Sequence, residues 1–424
     1  MGKARSLVPH RLKIMFVLLQ QVRFLDPVAN VDRVTDVLLE DGIIRAFEPS
    51  EIPESAERRS CSGCVLAPGL IDLYSHSGEP GFEERETLES LQAAAIAGGF
   101  TRLNLLPDTT PAIDHYAIVT QIRSKFPRIN CWGALTLNTD GQQMTELAEL
   151  AADVIGFTDG KAIANLALVR RLLEYVQPMK KAIALWASDP GLAGKGVIRE
   201  GTNSMRFGLP GIPVMAESAP LAGLIECVEA IGTPVHLMRV STARGVELIR
   251  SAKSRGVPIT ASTTWLHLLL DTNSVQSYDP SLRLDPPLGN LSDRQALIQA
   301  VQEGVIDSIA VDHSPYTYEE KTVAFGEAPP GAIGLELALP LLWSNLVESG
   351  CWSALELWRS LTIRSAQCLG QNLNAIAPNQ PSDLILFDPN EKWTVDRSNL
   401  RSLSTNTAWL NQSISGRVLE AWCF

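Results

Sequence analysis

The middle of the chain alternates two kinds of apolar text, and that alternation constrains the fold more than any other feature. Eight short runs read as strands: GLIDLYSH (69–76), TRLNLLPD (101–108), INCWGALTL (129–137), DVIGFTDG (153–160), KAIALWASD (181–189), PVHLMRVST (234–242), VPITASTT (257–264) and DSIAVDHSP (307–315). Between most of them lie stretches of helical character, among them TLESLQAAAIAGG, MTELAELAA, LALVRRLLEYVQ, LAGLIECVEAIG, GVELIRSAKSRG and DRQALIQAVQEG. Apolar strands separated by helices predict a parallel sheet covered on both faces. Eight of them predict a (β/α)8 barrel rather than an open sheet.

The two ends read differently. From about 12 to 66 the text is strand-like, with Asp41-Gly42 as a hairpin signal between apolar stretches, and PSDLILFDPNEKWTV and SISGRVLEAWCF continue the pattern near the other end. The expected organisation is a flexible extension over 1–11, a small β-domain built from 12–66 plus 375–424, and a barrel over 67–374.

Charge and cysteine usage narrow the setting. The net charge is −11 and no Lys/Arg cluster stands out, which argues against nucleic acid or an anionic membrane as partner. Seven cysteines, an odd number in a long chain, point to a reducing, cytoplasmic compartment. Cys61 and Cys64 form a lone C-x-x-C with no second pair to complete a zinc site, so they are expected as small residues entering a strand. The basic and apolar N-terminus lacks a signal-peptide cleavage pattern, Gly2 and Ser6 match only a short myristoylation pattern, and no segment is long and apolar enough to span a bilayer.

Barrel active sites form where the strands end. The polar residues at those ends are Asp72, Tyr74 and His76 on the first strand, Asp108 on the second, Asp159 on the fourth, and Trp186, Ser188 and Asp189 on the fifth. Arg239 on the sixth, His267 after the seventh, and Asp312 and His313 on the eighth complete the ring. Positions two apart on a strand share a face, so Tyr74 and His76 project together. A two-metal hydrolytic site needs several imidazoles and carboxylates around cations about 3.5–4 Å apart. The ring has carboxylates but few imidazoles, and the whole chain has six histidines: His10, His76, His115, His236, His267 and His313.

At this point the text resembles a known family. PGLIDLYSHSGEPGFEERETLESLQAAAIAGGFT, LLPDTTP, FTDG, HLMRVST, LRLDPPL, SDRQALIQAVQEGVIDSIAVDHSPY, PPGAIGLELALP and SDLILFDPNEKW are similar to bacterial dihydroorotases of the cyclic amidohydrolase superfamily. The resemblance implies a barrel with a small β-domain and hydrolysis of a cyclic amide by metal-bound hydroxide. Where that family has D-x-H-x-H-x-R on the first strand, this chain has Asp72, Tyr74, His76 and Gly78. The family's ligand histidines on the fifth and sixth strands fall at Trp186 and Arg239, its substrate-binding asparagines at Asp108 and Asp285, and a further histidine at Tyr316. The resemblance leaves His76, Asp159 and Asp312 as metal-ligand remnants, Asp312 being also the remnant general base. The resemblance also leads to the expectation that family members carry final strands beyond the point matched by Phe424.

Several expectations follow. No cofactor is expected, or at most one weakly bound zinc. Arg239 replaces metal charge by pairing with Asp312 or Asp159, or else swings to solvent. Trp186 fills the emptied volume in a collapsed pocket. Gly78, Asp108 and Asp285 make the mouth repel anions. His236 is expected as a buried structural residue or, less simply, a residue lining the site, and His267 as a packing or hydrogen-bonding residue. The resemblance implies an inactive dihydroorotase-like chain serving as a structural partner of aspartate transcarbamoylase, or a homo-oligomer. The alternative is an active dihydroorotase or other cyclic-amide hydrolase with a single-metal site.

Overall fold

The computed structural model describes residues 15–424. The extension over 1–11, the Gly2 and Ser6 pattern and His10 lie outside the described residues. Five strands come first: β1 (Phe16–Asp26), β2 (Val31–Glu40), β3 (Ile43–Phe47), β4 (Glu57–Ser60) and β5 (Val65–Pro68). Then follow β6 (Leu70–Ile71), β7 (Phe100–Leu105), β8 (Ile129–Gly133), β9 (Gly156–Phe157) and β10 (Ala182–Trp186). A two-stranded insert, β11 (Ile198–Arg199) and β12 (Gly211–Ile212), precedes β13 (Val235–Met238), β14 (Ile259–Thr264) and β15 (Ser308–Ala310). β16 (Leu384–Thr394) and β17 (Ser413–Trp422) return to the first group.

β1 to β5 and β16 to β17 form one seven-stranded sheet. The turn between β2 and β3 is the Asp41-Gly42 hairpin, both residues at positive φ (49° and 84°), as a two-residue turn of this hand requires. Gln21, also at positive φ, marks a register shift in β1 between Leu19 and Val22. The shift lets Val17, Leu19, Val22 and Phe24 all bury against Cys61, Cys64 and Leu66. Burial pushes the Cys64 thiol up to about 11, so it behaves as a small apolar residue.

β6 to β10 and β13 to β15 form the parallel eight-stranded sheet, in chain order. Beyond its first and last strands the ring closes through the chain: Asp312 N donates to the Tyr74 carbonyl (3.2 Å) and His76 N to the His313 carbonyl (2.8 Å). Asp72, fully buried, stitches the same seam by accepting from Val311 N (2.8 Å) and Ser75 Oγ (2.6 Å), so it is structural. Val235–Met238 is buried at every position, which explains why it reads as one apolar run. The strands are shorter than their text suggests, because His76, Asp108, Asp159, Arg239 and Asp312 fall in the turns that leave them. MTELAELAA gives only a single turn, Leu147–Leu150. Among the described residues, no helix is long and apolar enough to cross a membrane.

Candidate functional site

The mouth of the barrel opens on a cavity of about 220 Å³ lined by His76, Asp108, Trp186, Arg239, Asp285 and Asp312, among others. Arg239 is its centre. The backbone at Arg239 and at Asp312 is left-handed (φ 56° at each), a conformation that costs a non-glycine residue about 1–2 kcal/mol. It aims the two side chains at each other. Arg239 Nε donates to Asp312 Oδ2 (2.8 Å), Nη2 to Asp312 Oδ1 (2.6 Å), and Nη1 to the Gly160 carbonyl (2.7 Å). The guanidinium is 4 % exposed and lies 5.0 Å from the Trp186 ring and 5.5 Å from Tyr74, so it is desolvated between two aromatic faces. Of the expected outcomes for Arg239, pairing with Asp312 is the one observed.

His76 and Asp108 complete a chain of alternating charge. His76 Nδ1 lies 2.7 Å from Asp108 Oδ2, and Nε2 lies 3.5 Å from Asp312 and 2.9 Å from Arg239 Nη2. Burial alone would lower the imidazole pKa, but Asp108 and Asp312 outweigh it and raise it to about 9. The two carboxylates thus favour the charged ring, whereas the 2.9 Å contact with Arg239 Nη2 is that of a donor to an accepting Nε2, with Nδ1–H donating to Asp108. Burial works against ionised Asp312 as well, yet Arg239 and His76 hold its carboxyl far below the usual range, and against the same burial His76 lowers that of Asp108.

Tyr74 stands beneath this group. Its hydroxyl is 2.9 Å from Ser262 Oγ and accepts from Arg239 N (3.2 Å), while burial pushes its pKa well up. His236 Nε2 holds Ser262 Oγ at 2.8 Å and its Nδ1 holds Thr260 Oγ1 at 2.9 Å. Both ring nitrogens are thus engaged inside the barrel, below the mouth. Burial drives His236 down to about 3, so it stays neutral and structural.

Other expected site residues fall elsewhere. Asp159 is turned away: its carboxylate accepts from Leu135 N (2.8 Å), Thr136 N (2.9 Å) and Thr136 Oγ1 (2.6 Å), tying down the 135–136 turn. Asp189 caps the turn Pro190–Ala193 by accepting from Gly191 N and Leu192 N, and neither it nor Ser188 lines the cavity. His267 is held by Thr264 (2.7 Å) and lowered to about 4, chiefly by burial, although it also forms part of the cavity wall. His313 packs between Glu86 and Gly334 N, and His115 lies exposed ahead of the helix Tyr116–Lys125.

Gly78 shows why an arginine is missing there. A Cβ would sit 2.0 Å from the Phe82 carbonyl and within 2.8 Å of the Glu86 backbone, so the 79–86 loop has folded over the place a side chain would leave. That loop carries a residue which the sequence reading passed over, Arg85. It lies 4.2 Å from Phe82 and 5.0 Å from Tyr316, and its Nε is 3.0 Å from Glu320. Lys161, also passed over, lines the cavity beside Gly160. With Asp108 facing His76, Arg85 facing Glu320 and Lys161 on the same rim as Asp285, the charges of the mouth offset one another where a net negative surface was expected, and a cavity of about 220 Å³ remains beside Trp186. The only sequence signal for Arg85 or Lys161 was a basic residue in a loop next to a motif.

The donors present do not fit a pair of zinc ions. Zinc needs unprotonated donors with free lone pairs. Both oxygens of Asp312 face a guanidinium, His76 is engaged at both ring nitrogens by Asp108 and Arg239, Tyr74 is tied to Ser262, Trp186 has no acceptor and Asp159 is turned away. Among the described residues, no three His, Cys, Asp or Glu side chains form a group that could hold a metal ion.

Comparison with known proteins places this geometry. Residues 63–244 match the model of the dihydro-orotase-like family. A probable dihydroorotase-like protein of Synechocystis sp. is 44 % identical over 95 % of this chain and 98 % of its own length. The dihydroorotase of Pelobacter propionicus is 36 % identical over 96 % of this chain and 97 % of its own. Among solved structures, the L-hydantoinase (dihydropyrimidinase) of Arthrobacter aurescens superposes with a TM-score of 0.80 at 20 % identity, covering 96 % of this chain and 94 % of that one. The barrel with its separate small sheet is the fold that this likeness supports.

Proposed function

This chain belongs to the dihydroorotase-like family of pyrimidine biosynthesis, and on that premise we propose that it is a non-hydrolytic member retained as a structural partner of aspartate transcarbamoylase. One observation carries the first half: the bidentate Arg239–Asp312 pair sits where two family ligand positions meet, puts a fixed positive charge where a metal would lie, and engages both oxygens of Asp312 in charge-assisted hydrogen bonds. A hydrolase of this kind makes its nucleophile by lowering the pKa of metal-bound water to about 7, and these residues supply no cage for the ion. A single-metal hydrolase would have to gather His76, Asp159 and Asp312, and the three hydrogen bonds that hold Asp159 at the 135–136 turn count against it.

What these residues do instead is hold one another. Arg239 supplies positive charge without a cation, Tyr74 and Trp186 exclude water from it, and the hydrogen-bonded column Thr260–His236–Ser262–Tyr74 fixes its backbone. The partner half of the proposal rests on the family resemblance. Two experiments test the reading. The purified chain should not hydrolyse dihydroorotate above the uncatalysed rate, and the untagged chain should co-purify with aspartate transcarbamoylase from its own cell extract. Measured turnover would overturn the first half, and isolation as a homo-oligomer free of that enzyme would overturn the second.

A further inference from the structure

Matching each charged side chain of the cavity with its neighbour leaves two over. Asp312 is taken by Arg239, Asp108 by His76 and Arg85 by Glu320. Lys161 makes one hydrogen bond, from Nζ to Thr139 Oγ1 (2.8 Å), and among the described residues no carboxylate lies within 4.0 Å of its nitrogen. Asp285 opens onto the same cavity and, among the described residues, neither accepts a hydrogen bond nor meets a cation within 4.0 Å. Both side chains are exposed at the mouth, so each can be reached by a molecule entering from solvent. One free ammonium and one free carboxylate face one space.

We propose that this cavity binds a small zwitterion of the amino-acid class, its carboxylate on Lys161 and its ammonium on Asp285, without turning it over. A simple anion would satisfy Lys161 but meet the bare carboxylate of Asp285, and a simple cation would meet the reverse. Size sets the second limit. At about 220 Å³ the space falls below the roughly 300–1,000 Å³ of drug-sized pockets, and suits a metabolite of about ten non-hydrogen atoms. Trp186, Leu284 and Pro286 give the wall an apolar side for the ligand's carbon chain. This inference rests on the reading that Arg239, not metal, fills the mouth.

The test is calorimetric titration of the full chain with the common α-amino acids and β-alanine, glutarate as the anionic control and cadaverine as the cationic one. At least one amino acid should bind saturably and at least about tenfold tighter than either control, and Lys161→Gln and Asp285→Asn should each weaken it at least about tenfold. Three results would overturn the inference: no amino acid bound at up to about 10 mM, a control bound as tightly as the best amino acid, or binding that both variants leave unchanged. Zinc measured on the same sample keeps the two readings apart. Metal-free protein that ignores amino acids sinks this inference alone, whereas stoichiometric zinc sinks the reading beneath it.

Discussion

Replacing Arg239 by methionine removes a buried charge while nearly keeping its volume, so the consequence is electrostatic rather than a matter of packing. The Asp312 carboxylate then loses two short hydrogen bonds, 2.8 and 2.6 Å, and stays in a wall where it is 15 % exposed. Breaking a buried pair in this way costs about 3–5 kcal/mol. The lower end applies here, because Asp312 borders the cavity and His76 remains 3.5 Å away. Removing both partners, as Arg239→Met with Asp312→Leu, should be close to neutral, since no charge is left unpaired. With about 2.1 cal/mol/K per residue, a chain of 424 residues loses roughly 1 K of Tm per 0.9 kcal/mol, so the single variant should melt about 3–4 K lower and the double variant near wild type. The coupling should also fade in acid. Arg239 holds the Asp312 pKa below its unfolded value, so the stabilisation is present above about pH 4 and is lost as pH falls through the folded value. Scanning calorimetry of the four-member cycle at pH 7 decides the matter. A coupling under about 1 kcal/mol would refute the idea that this pair organises the site.

Tyr74→Phe removes a hydroxyl that touches Ser262 Oγ and Arg239 N, and should lower stability by about 1–2 kcal/mol, read as a Tm drop of about 1–2 K; an unchanged Tm would mean that water replaces it without loss. Gly78→Ala drives a Cβ into the Phe82 carbonyl, where only backbone can yield, and a loss of about 3 kcal/mol or insoluble protein is expected; a variant melting like wild type would show that the 79–86 loop gives way freely. His236 is held neutral with its pKa depressed to about 3, so its contribution is present above its unfolded value of about 6.5 and is lost as pH falls toward 3. His236→Gln should flatten the fall in stability between those limits, and an unaltered slope in urea titrations across that range would count against a buried neutral imidazole.

How much of this was legible follows from what each feature depends on. The barrel was readable because Val235–Met238 and its counterparts are buried on both faces, leaving a continuous apolar run. The Asp41-Gly42 turn was readable because few residues accept its backbone. The residues at the mouth were visible as types, but not their commitments. Asp159 sits two residues after β9, and whether its carboxylate faces the barrel axis or the 135–136 turn depends on loop geometry that strand periodicity does not encode. Arg85 and Lys161 were passed over for the same reason, since both reach the cavity from loops. The expectation of a collapsed, negative mouth failed because residue identities were summed without their partners: Asp108 faces His76, while Lys161 and Asp285 are left free.

The most direct test of the central claim is the zinc content of the native chain, purified without chelator, dialysed against excess zinc and then freed of unbound metal. With Arg239 in the place of a cation, the chain should carry well under one zinc ion at full recovery of folded protein. About two tightly held ions per chain would contradict the account, because the guanidinium paired with both oxygens of Asp312 occupies the place where those ions would have to lie.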